Sequence, residues 1–204
     1  MERLNAIFSV IPQCEVLADI GCDHGKLTRK VLLESRARKV IATDISEKCL
    51  SKARELNSDL DNVQFCVGDG LQALGENKAD VIVISGMGGN TMMDILKSLP
   101  NAVLVLQPQS DVPLFRKFLV ENGYEIDKDF VICVANKYYD IIRAKKGKMV
   151  LDEMQLLYGV FYKEPNQFLK AKLQLIIDKT QKYKQTPKNI QVLNTAKEAI
   201  KWQQ

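Results

Sequence analysis

No apolar run in the 204 residues approaches the ~20 needed to cross a bilayer as a helix, and the opening MERLNAIFSVIP lacks a signal-peptide pattern. The five cysteines (Cys14, Cys22, Cys49, Cys66, Cys133) are odd in number and scattered, with no C-x-x-C pair. Neither a disulfide framework nor a zinc site is expected from such spacing, and a reducing, cytoplasmic setting fits it best. Internal repeats and low-complexity tracts are missing too. With 46% hydrophobic and 26% charged residues the composition is that of an ordinary globular protein. Disorder and collagen-like architecture are excluded, no metal is expected, and a monomer is the expectation.

What is present begins with a charge asymmetry. Residues 1–144 carry 17 Lys and Arg against 20 Asp and Glu, whereas residues 145–204 carry 12 Lys against five acids. An acidic body with a basic tail suggests that the tail grips a polyanion, although a solvated helical face would look the same.

The body alternates short β-branched runs with helical stretches. Strands are predicted at Val16–Ile20, Lys39–Thr43, Val63–Val67, Asp80–Ser85 and Ala102–Gln107, several of them continuously apolar as in parallel strands buried on both faces. Amphipathic helices are predicted between them at Leu27–Glu34, Glu47–Asn57, Thr91–Leu99 and Leu114–Asn122, which implies right-handed βαβ units. Phe130–Ala135 and Tyr138–Ala144, separated only by Asn136–Lys137, predict an antiparallel hairpin at one sheet edge. The expected fold class is α/β: a mostly parallel sheet with one reversed strand over residues 1–150, and a separate basic helical unit over 151–204. In that unit Leu169, Leu173, Ile176, Thr180 and Tyr183 form one helical seam, and Ile190, Leu193, Ala196 and Ile200 a second beyond Pro187. This is the pattern of a helical, coiled-coil-like hairpin turning near Thr186–Pro187.

The segment L-A-D-I-G-C-D-H-G-K-L (Leu17–Leu27) reads as a strand end, a tight glycine-bracketed loop and a helix start. Asp44 ends the second strand, where a carboxylate binds ribose hydroxyls in sheets of this kind. Between the two glycines stands Asp23. A carboxylate there would repel the pyrophosphate of a dinucleotide but suits the sulfonium and ammonium of S-adenosylmethionine. Asp69, in V-G-D-G-L (Val67–Leu71), could accept a hydrogen bond from an adenine amino group, or simply cap a turn. His24, the only histidine, invites an acid/base role by its pKa range, with loop packing as the alternative.

At the fourth strand's end, I-S-G-M-G-G-N (Ile84–Asn90) holds glycines that let a flat group approach the backbone, or that close the loop over the cofactor. It offers the Ser85 hydroxyl, Met87 and Asn90, but neither the carboxylate nor the aromatic of many amino-group methyltransferases. Such a site suits an acceptor whose lone pair is already available, such as a ring nitrogen. The fifth strand ends in L-Q-P-Q (Leu106–Gln109), where neutral amides can read a base edge.

D-I-G-C-D-H-G-K-L, I-S-G-M-G-G and V-L-Q-P-Q, in that order and spacing, resemble the bacterial tRNA (adenine-N1)-methyltransferases that modify adenine 22 in the D-arm region. The resemblance covers residues 1 to about 160 and extends in character to the basic tail. It implies a Rossmann-like class I methyltransferase sheet, S-adenosylmethionine as donor and tRNA as acceptor. By matching motif, Asp19, Gly21, Cys22, Asp23, His24 and Gly25 would lie at the methionine side of the donor, Asp44 and Ile45 at its ribose, and Gly68, Asp69 and Gly70 at its adenine. Ser85 would touch donor and target, and Ser85, Gly86, Met87 and Gln107 would face the target base. Lys163, Lys170, Lys172, Lys179, Lys182, Lys184 and Lys188 would hold tRNA phosphates. Tyr138 or Tyr139 could stack on an extruded base, or serve hairpin packing. A different methyl acceptor, or a non-enzymatic RNA-binding role on the same fold, stays open on the residues alone; an NAD oxidoreductase is disfavoured by Asp23.

Overall fold

The computed structural model describes residues 2–76, 78–184 and 186–203. Seven strands form one sheet: β1 (Cys14–Ile20), β2 (Ala37–Asp44), β3 (Val63–Val67), β4 (Val81–Met87), β5 (Val103–Pro108), β6 (Tyr124–Val134) and β7 (Lys137–Lys146). They are ordered β3-β2-β1-β4-β5-β7-β6, with β1 to β5 parallel and β7 antiparallel to both its neighbours. The order reverses between β1 and β4, and ligands of open α/β sheets bind in the crevice at the carboxyl ends of the strands there.

Strand residues alternate between two apolar layers. Leu17, Val40, Val83 and Val105 face one side, where they meet α1 (Glu2–Ser9), α2 (Lys26–Leu33) and α3 (Glu47–Leu56). Their neighbours Ala18, Ile41, Ile84 and Leu106 face the other, where they meet α4 (Gly89–Ile95) and α5 (Val112–Glu121). Each such Leu, Ile or Val contributes roughly 1.5–3 kcal/mol by burial. The two-sided burial is why these strands read as unbroken apolar runs.

The hairpin departs from expectation in extent and turn. β6 begins at Tyr124, not Phe130, because a bulge between Ile126 and Lys128 shifts its register against β7. Tyr124 and Ile126 face the α5 side before the bulge; Phe130 and Ile132 face the α1 side after it. One extra residue therefore reverses the parity that alternation relies on. The turn is Ala135–Asn136, whose φ of 50° and 60° supply the two left-handed residues of a type I′ hairpin, with Val134 opposite Lys137.

Beyond β7 the chain forms α6 (Glu153–Tyr158), α7 (Gln167–Lys182) and α8 (Pro187–Ala199). Asp152 and Gln155 make a reciprocal capping box at the start of α6, and Thr186 caps α8 with Pro187 in its first turn. The α7 seam is Leu169, Leu173, Ile177 and Thr180; Ile177 replaces the anticipated Ile176, which is half-buried. Tyr183 is 63% exposed because α7 ends at Lys182. Opposite that seam Ala196 and Ala199 are fully buried, while Ile190 is 43% exposed.

These helices are fastened to the sheet by charge as well as apolar contact. Arg116 of α5, fully buried, donates to Asp129 of β6 at 2.8 and 2.9 Å, to Asp140 of β7 at 2.8 Å and to the Leu156 carbonyl at 3.1 Å. Lys172 of α7 donates to the other Asp140 oxygen at 2.7 Å, and the Val160 amide donates to Asp129 at 2.8 Å. Burial opposes each charge, but Arg116 and Lys172 together hold the Asp140 carboxyl below the usual carboxylate range. Among the described residues no helix is long and apolar enough to cross a membrane.

Candidate active site

At the carboxyl end of β1 the chain reverses through Gly21, whose φ of +69° favours glycine. The Gly21 and Cys22 amides then both donate to the Thr43 carbonyl of β2, at 2.8 and 2.9 Å. A Cβ on Gly21 would collide with Cε of Met87, so glycine also admits that side chain. Asp44 pins the two loops to each other: one carboxylate oxygen accepts from the Asp23 amide at 3.1 Å and the other from the Ser46 amide at 2.9 Å. Opposite, β4 breaks register against β5 between Ser85 and Met87, where Gly86 takes φ +80°. The bulge re-aims the strand end beside the β1 loop.

A cavity of about 430 Å³ lies between these ends. Gly21 and Asp23 contribute from the loop after β1, Thr43, Asp44 and Ile45 from the end of β2 and just beyond it, Gly68, Asp69 and Gly70 from the turn after β3, and Ser85, Gly86 and Met87 from β4. Thr91 and Ile95 of α4, Gln109 after β5 and Arg3 of α1 complete the wall. Ile45 is 74% exposed, an apolar side chain that burial does not explain. The Thr43 hydroxyl is buried and has no hydrogen-bond partner among the described residues. Asp69 precedes a 3₁₀ turn without capping it, which leaves the cap reading unsupported. A wider cleft of about 690 Å³ adjoins the cavity, and Asp69, Gly70, Thr91 and Ile95 line both.

Several expected residues stand elsewhere. Asp19 lies behind the wall: it is buried and accepts from the Thr28 hydroxyl at 2.7 Å, anchoring the first turn of α2. Burial, with a smaller contribution from Asp44, pushes its carboxyl up to about 6. Cys22 is buried too, and burial followed by the charges of Asp19 and Asp44 pushes its thiol up. Gly25 packs against Ala53 and Asn57 of the α3 region. His24 sits outside the cavity with Nδ1 3.5 Å from the Asp23 carboxylate.

Gln107 does not face the cavity. It remains paired with Ser85 across β4 and β5, is fully buried, and donates to the Pro108 carbonyl at 2.9 Å while its own Oε1 has no partner among the described residues. Gln109, beyond the end of β5, is the amide that reaches it, with its backbone N donating to the Met87 carbonyl at 2.8 Å. Lys172 is likewise spent on Asp140 at the sheet junction, whereas Lys170, Lys179, Lys182, Lys184 and Lys188 are exposed. Lys163 stands over the rings of Tyr162 and Trp202. Alternation on β7 separates the two tyrosines: Tyr138 packs into the α7–α8 cluster, and Tyr139 carries the Arg3 guanidinium 5.5 Å from its ring centroid. Arg3 is a wall residue that the sequence did not point to, because the eight-residue α1 that carries it has only Leu4, Ile7 and Phe8 as an apolar face.

The sheet order, the glycine turn after β1 and the acids ending β2 and β3 define a nucleoside-binding Rossmann-like site. Residues 1–142 match the methyltransferase-domain family, and the chain belongs to it. It is 32% identical over 166 residues to a Mycoplasma pneumoniae protein named "Putative tRNA methyltransferase", covering 77% of this chain and 78% of that one. It is 30% identical over 154 residues to the Bacillus subtilis tRNA (adenine(22)-N(1))-methyltransferase, covering 72% of this chain and 65% of that enzyme. A Streptococcus pneumoniae crystal structure in complex with S-adenosyl-L-methionine superposes with a TM-score of 0.92 at 25% identity, covering 98% of this chain and 99% of that one. Both relatives carry the name of a tRNA methyltransferase, and the Bacillus subtilis one is named for N1 of adenine 22. The cavity fits the donor of that family: the orphaned Thr43 hydroxyl, the exposed Ile45 and the uncapped Asp69 are a polar, an apolar and an anionic group on its wall.

Proposed function

We propose that the chain methylates N1 of adenine 22 in tRNA, with S-adenosylmethionine as donor. The observation that carries this reading is the bulged S-G-M-G-G end of β4 on the cavity wall, in a chain 30% identical to an enzyme of that name. When bound, the donor supplies a methyl group on a positively charged sulfonium, which a ring nitrogen with an in-plane lone pair can accept without a base.

Asp44, Ile45 and Asp69 would hold the adenosine end, and Gly21 and Asp23 the amino-acid end. Arg3 is the one cationic side chain on the described cavity wall, and it is available to a carboxylate there. Ser85, Gly86, Met87 and Gln109 would face the target base. The Gln109 amide can both donate and accept, as recognition of an adenine edge requires. No side chain is asked to take a proton before methyl transfer, so the chain's contribution is orientation and exclusion of water. The exposed tail lysines would hold the tRNA backbone, offsetting the few kcal/mol it costs to extrude a stacked base. With tRNA as acceptor, the reaction would take place in the cytoplasm.

The test is incubation of the protein with S-adenosylmethionine and unmodified tRNA transcripts, followed by nucleoside digestion and mass spectrometry. 1-Methyladenosine is expected, and it should vanish when adenine 22 is replaced by guanine. Donor binding without any methylated nucleoside would remove the tRNA assignment.

A further inference from the structure

Trp202 is the chain's only tryptophan, and it is 49% exposed. Its position is nevertheless fixed by its neighbour. Gln203 is buried, accepts from the Asn166 amide at 2.7 Å and donates to the Glu164 carbonyl at 3.1 Å, tying the chain end to the segment before α7. Trp202 lines a groove of about 650 Å³ with Lys197, Lys201, Asn194 and Glu198. Lys163 Nζ, which is not part of the groove lining, stands 4.9 Å from the Trp202 ring centroid. Three cations against one acid therefore surround a half-exposed indole whose chain neighbour is hydrogen-bonded to the segment before α7.

We propose that this groove is a second RNA contact, in which an unpaired base of the tRNA stacks on Trp202 while Lys163, Lys197 and Lys201 engage the flanking phosphates. An aromatic face amid lysines is the composition of sites that bind unpaired nucleotides, because every base has a face to stack and every nucleotide a phosphate to neutralise. Bases inside a helix are already stacked, so the occupant is a loop nucleotide rather than a duplex. The proposal rests on the tRNA reading above and adds to it a contact outside the catalytic cavity.

The single tryptophan makes the test direct. Unmodified tRNA transcript titrated into the full chain should quench the indole emission along the same curve as binding followed by gel retardation. Trp202→Ala should weaken tRNA binding about tenfold and Trp202→Phe much less, with donor affinity unchanged in both. Lys197→Gln and Lys201→Gln should each reduce the salt slope of binding by about one. Should Trp202→Ala fail to fold, the emission of the unmutated chain still decides. Emission that stays constant while tRNA binds and is methylated, as it would if the groove served a protein partner, overturns this inference alone. Absence of any tRNA binding by the unmutated chain overturns the acceptor reading as well.

Discussion

Asp140 and Asp19 are both buried carboxylates at opposite ends of one chemical problem. Asp140, at the junction between the sheet and α7, faces Arg116 and Lys172 and is held below the ordinary carboxylate range. Asp19, behind the cavity, has the Thr28 hydroxyl as its side-chain partner and is pushed up to about 6. The contrast extends to their surroundings. At the junction, Arg116, Asp129, Asp140 and Lys172 satisfy one another, and backbone groups of Leu156 and Val160 join them. On the cavity wall, Thr43 Oγ1 has no hydrogen-bond partner among the described residues and the Asp69 side chain caps nothing. A saturated network fixes where the tail sits, and an unsaturated one leaves polar groups for a ligand.

The largest effect should come from breaking the saturated side. Arg116→Met leaves Asp129 and Asp140 buried without their shared cation and should cost about 3–5 kcal/mol in urea unfolding. A loss below about 1 kcal/mol would mean that the network is not the clamp described. The two aspartates should then separate by pH. A folded pKa near 6 for Asp19, above ~3.9 when unfolded, means its stabilisation is full below pH ~4 and lost as pH rises through 6. Asp19→Asn should therefore gain up to about 3 kcal/mol on the native protein between those limits. Asp140 has the opposite sign: its contribution is present above ~4 and lost as pH falls through its depressed folded value. Parallel pH profiles of thermal unfolding for native protein and Asp19→Asn would refute the assignment.

Smaller effects belong to the cavity. Asp44→Ala removes the acceptor of two loop amides, so S-adenosylmethionine affinity measured by calorimetry should fall more than tenfold, with about 1–2 kcal/mol of stability. Unaltered affinity would detach the loop from donor binding. Gln109→Ala should slow methyl transfer several-fold while donor affinity holds, whereas Gln107→Ala should act through stability. The reverse pattern in single-turnover assays would reinstate Gln107 as the base-facing amide.

What was legible in the chain follows the same division. The central strands β1, β2, β4 and β5 could be read because burial on both faces leaves apolar runs, and Asp44 because it ends one of them. The half-buried edge strand β3 was marked only by its β-branched and aromatic residues. The first half of β6 could not, since a bulge reverses its parity and its charges, Asp127 and Asp129, pair with arginines rather than water. α1 and α6, of eight and six residues, are too short for periodicity to mark, which hid Arg3. Lys172 looked like its exposed neighbours because nothing local announces that a residue 32 positions earlier is its partner.

The division of labour itself is tested by one paired measurement on a variant with Lys170, Lys179, Lys182, Lys184 and Lys188 all changed to Gln. S-adenosylmethionine affinity should match the native protein, while tRNA affinity falls by at least about a hundredfold and its salt slope flattens. Native tRNA affinity in that variant, or an equal loss of both ligands, would contradict the account.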